Sequence, residues 1–431
     1  MKEPVRETAF APQTAVVQGS LAERFATVRE TTRKLAAPLS PEDCAIQSMT
    51  DASPVKWHLA HTTWFFETFI LSKQDPQRTP FNPAFRVLFN SYYNAVGDKH
   101  PRPQRGLLSR PSVEEVLAYR NHVEEELIAH IDAERLDAEM LALVELGIHH
   151  EQQHQELILT DLKHMLSCNP LRPAYQKNWP LTPVHARAPR WIRFEGGAHA
   201  IGFAGAAFSF DNETPRHTVW LEDFEIASQP VTHGDFIEFI EGGGYRRPEL
   251  WLSAGWDTVA TRGWETPLYW EKRGGRWYTF TLHGMAPVEP NTPACHLSFF
   301  EADAIARWVG ARLPTEAEWE HVAETLPVEG NFVESGAFHP LALREPPPES
   351  APAQMFGDVW EWTRSDYAPY PRFRPVQGAV GEYNAKFMCN QYVLRGGSCA
   401  TPSSHIRATY RNFFPADARW QFSGVRLARD A

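Results

Sequence analysis

His150-Glu151-Gln152-Gln153-His154 lies inside Ala138–Leu166, a stretch that reads as one long helix. His150 and His154 are four residues apart, so both imidazoles leave the helix on one face, about a turn from each other. The pair is a two-point metal clamp or, alternatively, two surface histidines. The string also matches the HExxH pattern of zinc peptidases. That match lacks its third ligand: Thr160 stands ten residues after His150, and after Glu156 the next glutamate is Glu195, beyond a run of prolines.

Upstream, three more helices are expected. Residues 19–36 carry Leu21, Phe25, Val28 and Leu35 at helical spacing. Ser53-Pro54 opens a second helix, with Ser53 at the N-cap and Pro54 at N1. Its stripe is Trp57, His61, Trp64, Phe65 and Phe69. Ser112–Asp132 is the third, capped by Ser112 with Glu114 and Glu115 in its first turn. Four such helices suggest an antiparallel bundle, a scaffold that builds metal sites from inward side chains. His61 then faces the core between Trp57 and Trp64, where an unpaired imidazole costs free energy. It is either a hydrogen-bonded core histidine or a third ligand beside His150 and His154. His58 and His149 read as neighbours, and Glu156 and Asp161 as partners for ligand N–H groups. Imidazole donors alone leave Zn, Fe, Cu and Ni open. The connection 74–111 has little regular signal, and long loops in compact domains are often functional.

After residue 166 the chain changes character. Ser167–Arg190 has prolines at 170, 173, 180, 183 and 189, which excludes a helix and predicts an extended linker. Beyond it, short apolar runs alternate with Gly, Pro and Asn clusters, the mark of β-rich structure. The 431 residues suit two or three domains, and 43% apolar with 22% charged residues is a globular balance. The net charge of −11 argues against nucleic acid as partner. No apolar run reaches the roughly 18 residues of a membrane span, and the first twenty residues lack the apolar core of a secretory leader. Cys44, Cys168, Cys295, Cys389 and Cys399 form no CxxC pair. A cytoplasmic protein is expected. The 15 Trp, 26 Phe and 18 His suggest aromatic-lined pockets and metal ligands.

Five strings follow in order: Arg312-Leu313-Pro314-Thr315-Glu316-Ala317-Glu318-Trp319-Glu320 after the short helix Phe299–Val309, Gly357-Asp358-Val359-Trp360-Glu361-Trp362-Thr363, Val393-Leu394-Arg395-Gly396-Gly397-Ser398, Arg407…Tyr410-Arg411-Asn412, and Gly424-Val425-Arg426. Each alone is a turn rich in Gly and Trp. Together they resemble the formylglycine-generating-enzyme (sulfatase-modifying factor) domain, of C-type-lectin-like fold. The converting enzymes of that family carry a cysteine pair after the RGGS string; here Cys399 follows Ser398 with no second cysteine, which puts formylglycine formation in doubt. The N-terminal half, with Ser53-Pro54…Trp57-His58-Leu59-Ala60-His61-Thr62-Thr63-Trp64-Phe65-Phe66-Glu67 and His150–His154, resembles the DinB-type bundle of the ergothioneine-biosynthesis sulfoxide synthases (the EgtB family). Those proteins fuse the two parts in this order. The expected fold is thus an α+β multidomain chain: a DinB-like four-helix bundle over 1–166, a proline-rich linker over 167–190, and a sulfatase-modifying-factor domain over 191–431.

The resemblance implies an Fe(II)- and O₂-dependent enzyme acting on small molecules. It would join the imidazole C2 of hercynine (Nα-trimethylhistidine) to a thiol sulfur and form the sulfoxide. The family's three-histidine iron site maps onto His61, His150 and His154. An arginine pair for the thiol substrate maps onto Arg102 and Arg105, where bidentate carboxylate capture suits arginine. By similarity, Tyr383, Asn412 and Phe413 wall the trimethylammonium pocket, which needs aromatic faces, and Gln153 bonds the imidazole. In some members a C-terminal tyrosine serves the oxygen chemistry, but Gln377-Gly378-Ala379-Val380 has none. Tyr92 and Tyr93 are the candidates to replace it. Members that use γ-glutamylcysteine have an acidic residue where this chain has Phe414, so cysteine is the expected thiol donor. The alternatives are a γ-glutamylcysteine- or selenium-using relative, an ovothiol-type synthase, and a non-catalytic metal-containing binding module. A zinc peptidase is the least supported.

Overall fold

A computed structural model of the chain describes residues 19–179, 184, 188–346 and 349–431. The start of the chain, read above as lacking a secretory leader, and the linker prolines Pro180 and Pro183 lie outside the described residues.

Four long helices dominate the N-terminal half: α1 (Leu21–Ala36), α2 (Val55–Phe66), α3 (Val113–Asp132) and α4 (Ala138–Cys168). Their starts are written in the sequence. Ser20 and Ser112 make reciprocal capping boxes with Glu23 and Glu115, and Asp137 accepts from the Met140 amide. Helix α2 differs from expectation at its start. Pro54 occupies the N-cap and the helix begins at Val55. Ser53 cannot cap it because its groups are used elsewhere: its amide donates to Asp161 Oδ2 at 2.8 Å and its Oγ accepts from Arg105 Nη1 at 2.8 Å.

Every residue of α2 is buried. A helix buried all round belongs at the centre of a bundle, and α2 packs there against α3 and α4. Gly147 makes the α2–α4 approach possible, since a Cβ there would lie 2.3 Å from the Phe66 ring. One turn later α4 presents Glu151, whose carboxylate accepts from Arg29 Nη1 at 2.7 Å and Arg120 Nη2 at 2.9 Å. Arg29 also holds Glu124 at 2.6 Å. All four groups are buried, so this network ties α1, α3 and α4 together around α2. Burial alone would raise the Glu151 carboxyl, but the two guanidinium groups override it and hold it down at about 2.

Residues 169–179 leave α4 in extended form and bind the second half, with the Tyr175 and Gln176 amides both donating to Leu282 O. The C-terminal half is β-rich. One sheet has the order Trp191–Phe194, Phe224–Ala227, Ala428–Asp430, joining its first and last strands through the middle one. A second has the order Asn412–Phe414, Tyr392–Arg395, Trp360–Asp366, Ser423–Gly424. The strings singled out from the sequence hold this half together. Arg395 and Arg411 both bond Glu316, Arg426 bonds Glu361, and Trp319 donates to Glu361 at 2.7 Å. Gly396 and Gly397 have positive φ, and a Cβ on Gly396 would lie 2.4 Å from Met355 O. Cys399 is buried behind them as a free thiol.

The two halves meet along α4. Glu156 receives Trp360 Nε1 at 2.7 Å, Ser398 Oγ at 2.8 Å and Thr401 Oγ1 at 2.8 Å. It therefore clasps the second domain and is not a partner of the ligand imidazoles, contrary to expectation. Among the described residues, no helix is long and apolar enough to cross a membrane.

Candidate metal centre

His61 comes from α2, His150 and His154 from α4. The three side chains are buried, and a ligand atom from each lies within 4.8 Å of the other two. The His61 ring is stacked between Trp57 (centroids 4.5 Å apart) and Trp64 (5.5 Å), as its place on the aromatic stripe suggests. His150 packs on Phe65 at 4.8 Å.

Hydrogen-bond partners fix the tautomers. His61 Nδ1 donates to Phe89 O at 2.6 Å, which leaves the Nε2 lone pair free. Asp161 Oδ2 accepts from His58 Nε2 at 3.1 Å, so His58 Nδ1 accepts from His154 Nδ1 at 2.8 Å. The His154 lone pair is then on Nε2. Both nitrogens of His150, and His61 Nε2, are buried with no hydrogen-bond partner. Buried unpaired nitrogens are costly, and one ligand nitrogen each from His61, His150 and His154 converges to form a site that a divalent metal ion satisfies. Burial lowers the basicity of all three, His150 to about 4, with His150 adding to the effect on the other two. They are neutral near pH 7, the form that ligates metal. With Glu151 locked by two arginines, the HEQQH string has no free glutamate to serve as a peptidase base.

Beside the histidines, between bundle and second domain, lies a cavity of about 400 Å³. The bundle lines it with Phe65, Tyr93, Leu143, Leu146, His150 and Gln153, and the C-terminal half with Phe208, Phe210, Asp211, Tyr383 and Asn384. Tyr93 is buried and packs on Trp64 and Phe69, while Tyr92 stacks on Tyr383 at 5.5 Å. Burial pushes both phenols up, so both keep their protons at neutral pH.

Arg105 is buried, lies 3.3 Å above the Trp57 ring, and leaves its Nε without a partner. Burial and neighbouring Arg102 lower its basicity. Arg102 is exposed and donates to Asp51 O. Asn412, Phe413 and Phe414 form an edge strand and are not in the cavity wall. Phe413 stacks on Tyr367 at 4.0 Å and reaches Tyr383 only through Phe387. Phe414 packs on Trp420. Sequence reasoning missed Leu143 and Leu146, although they share a helix face with His150 and Gln153 at intervals of three and four. It had no signal for Phe208 and Phe210, which lie in an irregular loop, or for Asp211, which opens the short helical turn Asp211–Glu213.

Comparison with known proteins agrees with this two-part construction. Residues 24–158 match the DinB superfamily, and residues 178–342 and 346–431 match the sulfatase-modifying factor enzyme 1-like domain. Hercynine oxygenase of Mycolicibacterium thermoresistibile is 32% identical over 88% of this chain and 87% of its own length. That of Mycobacterium tuberculosis is 33% identical over 88% and 91%. That of Mycolicibacterium smegmatis is 32% identical over 96% of this chain and its whole length, 100%. With identity at this level over 88% or more of its length, the chain belongs to the hercynine oxygenase (EgtB-type) family of ergothioneine biosynthesis.

Proposed function

We propose that this protein is an Fe(II)- and O₂-dependent sulfoxide synthase that couples hercynine to cysteine. The observation that carries the reading is the trio of neutral, buried imidazoles with unpaired nitrogens, set against a cavity at the domain boundary. The reaction balances: the imidazole C2–H and the thiol S–H are lost, a C–S bond forms, one oxygen atom becomes the sulfoxide, and the other leaves as water. Fe(II) held by His61, His150 and His154 would supply the redox chemistry with O₂ and a common anchor for the reactants.

The protein's own groups have separate tasks. The unpaired Nε of Arg105 offers a charge-assisted bond to a substrate carboxylate. Arg102, at the surface beside it, adds positive charge. Tyr93 lines the cavity with a protonated phenol and is the proton donor; Tyr92 backs it. The faces of Tyr383, Phe208 and Phe210 suit the trimethylammonium group, which has no N–H to donate and is held by π-faces. Asn412 and Phe413 shape that wall from the layer behind. Phe414 offers no carboxylate for a glutamyl amine, which supports cysteine as donor. The reading also assigns the work to the cytoplasm, where a thiol substrate stays reduced.

The test is oxygen uptake with mass analysis, using protein loaded anaerobically with Fe(II), then hercynine with cysteine or γ-glutamylcysteine. Hercynyl-cysteine sulfoxide formed with O₂ consumption is expected, with the higher kcat/KM for cysteine. No coupled product with either thiol overturns the reading, and preference for γ-glutamylcysteine overturns the donor assignment.

A further inference from the structure

Gln153 does not stand alone in the cavity wall. Its Nε2 donates to the Tyr410 hydroxyl at 2.8 Å, the same amide also donates to the Tyr383 hydroxyl, and its Oε1 is buried with no partner. Tyr410 lies 3.0 Å from His405 Nε2, and His405 Nδ1 lies 3.0 Å from His149 Nδ1. His149 in turn is stacked flat on Phe208, centroids 4.0 Å apart. A phenol that accepts from Gln153 gives its own proton to His405 Nε2. His405 then carries its proton on Nδ1 and donates it to His149. The chain runs from α4 into the second domain and back to α4, and each link has one donor and one acceptor. His149, His405 and Tyr410 are all buried, and none is used by the metal centre or the domain clasp.

We propose that His149, His405 and Tyr410 are positioning residues that hold the Gln153 amide with Oε1 turned into the cavity, so that a bound azole must present a ring N–H there. A primary amide turned the other way would offer a donor and select an azole nitrogen with a free lone pair. The relay thus sets which face of the amide the substrate meets, and it discriminates against ring-N-methylated imidazoles. This deepens the hercynine reading and rests on it. Loss of the substrate N–H leaves Oε1 buried and unpaired, so the penalty is about tenfold or more in affinity.

The experiment is calorimetric titration of the full chain, loaded anaerobically with Fe(II) and without thiol. The ligands are hercynine and its two ring-N-methyl isomers. Wild type is expected to bind at least one methylated isomer about tenfold more weakly than hercynine. In Tyr410→Phe the amide keeps only its bond to the Tyr383 hydroxyl and turns more easily, so that ratio falls and hercynine itself binds more weakly. His149→Phe keeps the stack on Phe208 and breaks the far end of the chain; it should lower the ratio in the same direction if Tyr410→Phe folds poorly. A general loss of structure weakens all three ligands together and leaves the ratio in place. Wild type that binds hercynine without discrimination, or variants with the wild-type ratio, overturn the relay and leave the hercynine reading standing. Wild type that does not bind hercynine overturns both.

Discussion

The two walls of the cavity are built in opposite ways. On the bundle side, the three candidate ligands sit on long helices, and two of them are pinned by buried partners. Phe89 O holds His61, Asp161 holds His154 through His58, and two arginines hold the backbone of α4 through Glu151. On the other side, Tyr383 and Asn384 lie between two short helical turns, Ala379–Glu382 and Ala385–Phe387. That segment touches the bundle where Tyr383 and Phe387 pack on Tyr92 and through two polar ties: Glu382 accepts from the Asn94 and Ala95 amides, and Lys386 donates to Tyr92 O. His61 and His154, proposed as metal ligands, are each fixed by a buried partner, whereas the proposed substrate wall is tied by partly exposed groups.

The sharpest way to break this contrast is to remove a ligand. His61→Ala should lower bound Fe(II) from about one to below about 0.1 per chain and reduce turnover by at least about a thousandfold, since two imidazoles form no closed set. Metal analysis and oxygen uptake read both. Retained iron at wild-type affinity would sink the three-histidine assignment.

The next effect is on stability. Glu151→Ala removes one of the two buried carboxylates that Arg29 and Arg120 share and leaves Arg120 with Glu124 at 3.8 Å as its only ion pair among the described residues. A broken buried pair costs about 3–5 kcal/mol, read as a lower urea midpoint. If the midpoint is unchanged while turnover is lost, Glu151 is part of the chemistry and the locked-glutamate argument fails. Smaller still is His58→Ala. His154 keeps its place but loses the contact that fixes its tautomer, so Fe(II) affinity should fall about 10–100-fold. An affinity within twofold of wild type would mean that Asp161 and His58 do not orient the ligand.

The same contrast explains what could be read from the sequence. His150, His154 and the stripe through His61 were legible because helical spacing turns position into direction. The capping serine Ser112 marked α3 for the same local reason. At Ser53 this failed, because the serine serves Arg105, fifty-two residues away, and no local rule reports such a partner. The cavity wall was the least legible part. Phe208, Phe210 and Asn384 reach it on irregular chain, where spacing carries no direction, and likeness to a family pointed to Asn412 and Phe413, which stand one layer back. Glu156 was read as a histidine partner because it shares the helix, yet its three donors all come from the other domain.

The weakest expected effect tests the loosely tied wall itself. Glu382 accepts from two main-chain amides at 2.8 and 3.0 Å and faces Lys386. Burial on its own would raise this carboxyl, but the amides of Ala95 and Asn94 together with Lys386 bring it below the ordinary value. A depressed carboxyl stabilises the contact above its unfolded value and loses that contribution only as pH falls through the folded one. The tie is therefore fully formed at neutral pH and should not contribute to any pH dependence between about 6 and 9. Glu382→Gln keeps one acceptor oxygen, loses the charge and the second bond, and frees Lys386. Because the contact is partly exposed, the expected change in stability is under about 0.5 kcal/mol. The expected kinetic change is a rise in KM of about two- to fivefold with kcat nearly constant, since the group holds a wall and touches no reacting atom. A large fall in kcat at unchanged KM would mean that the segment around Tyr383 positions the reaction as firmly as the bundle does, and the two walls would then be alike.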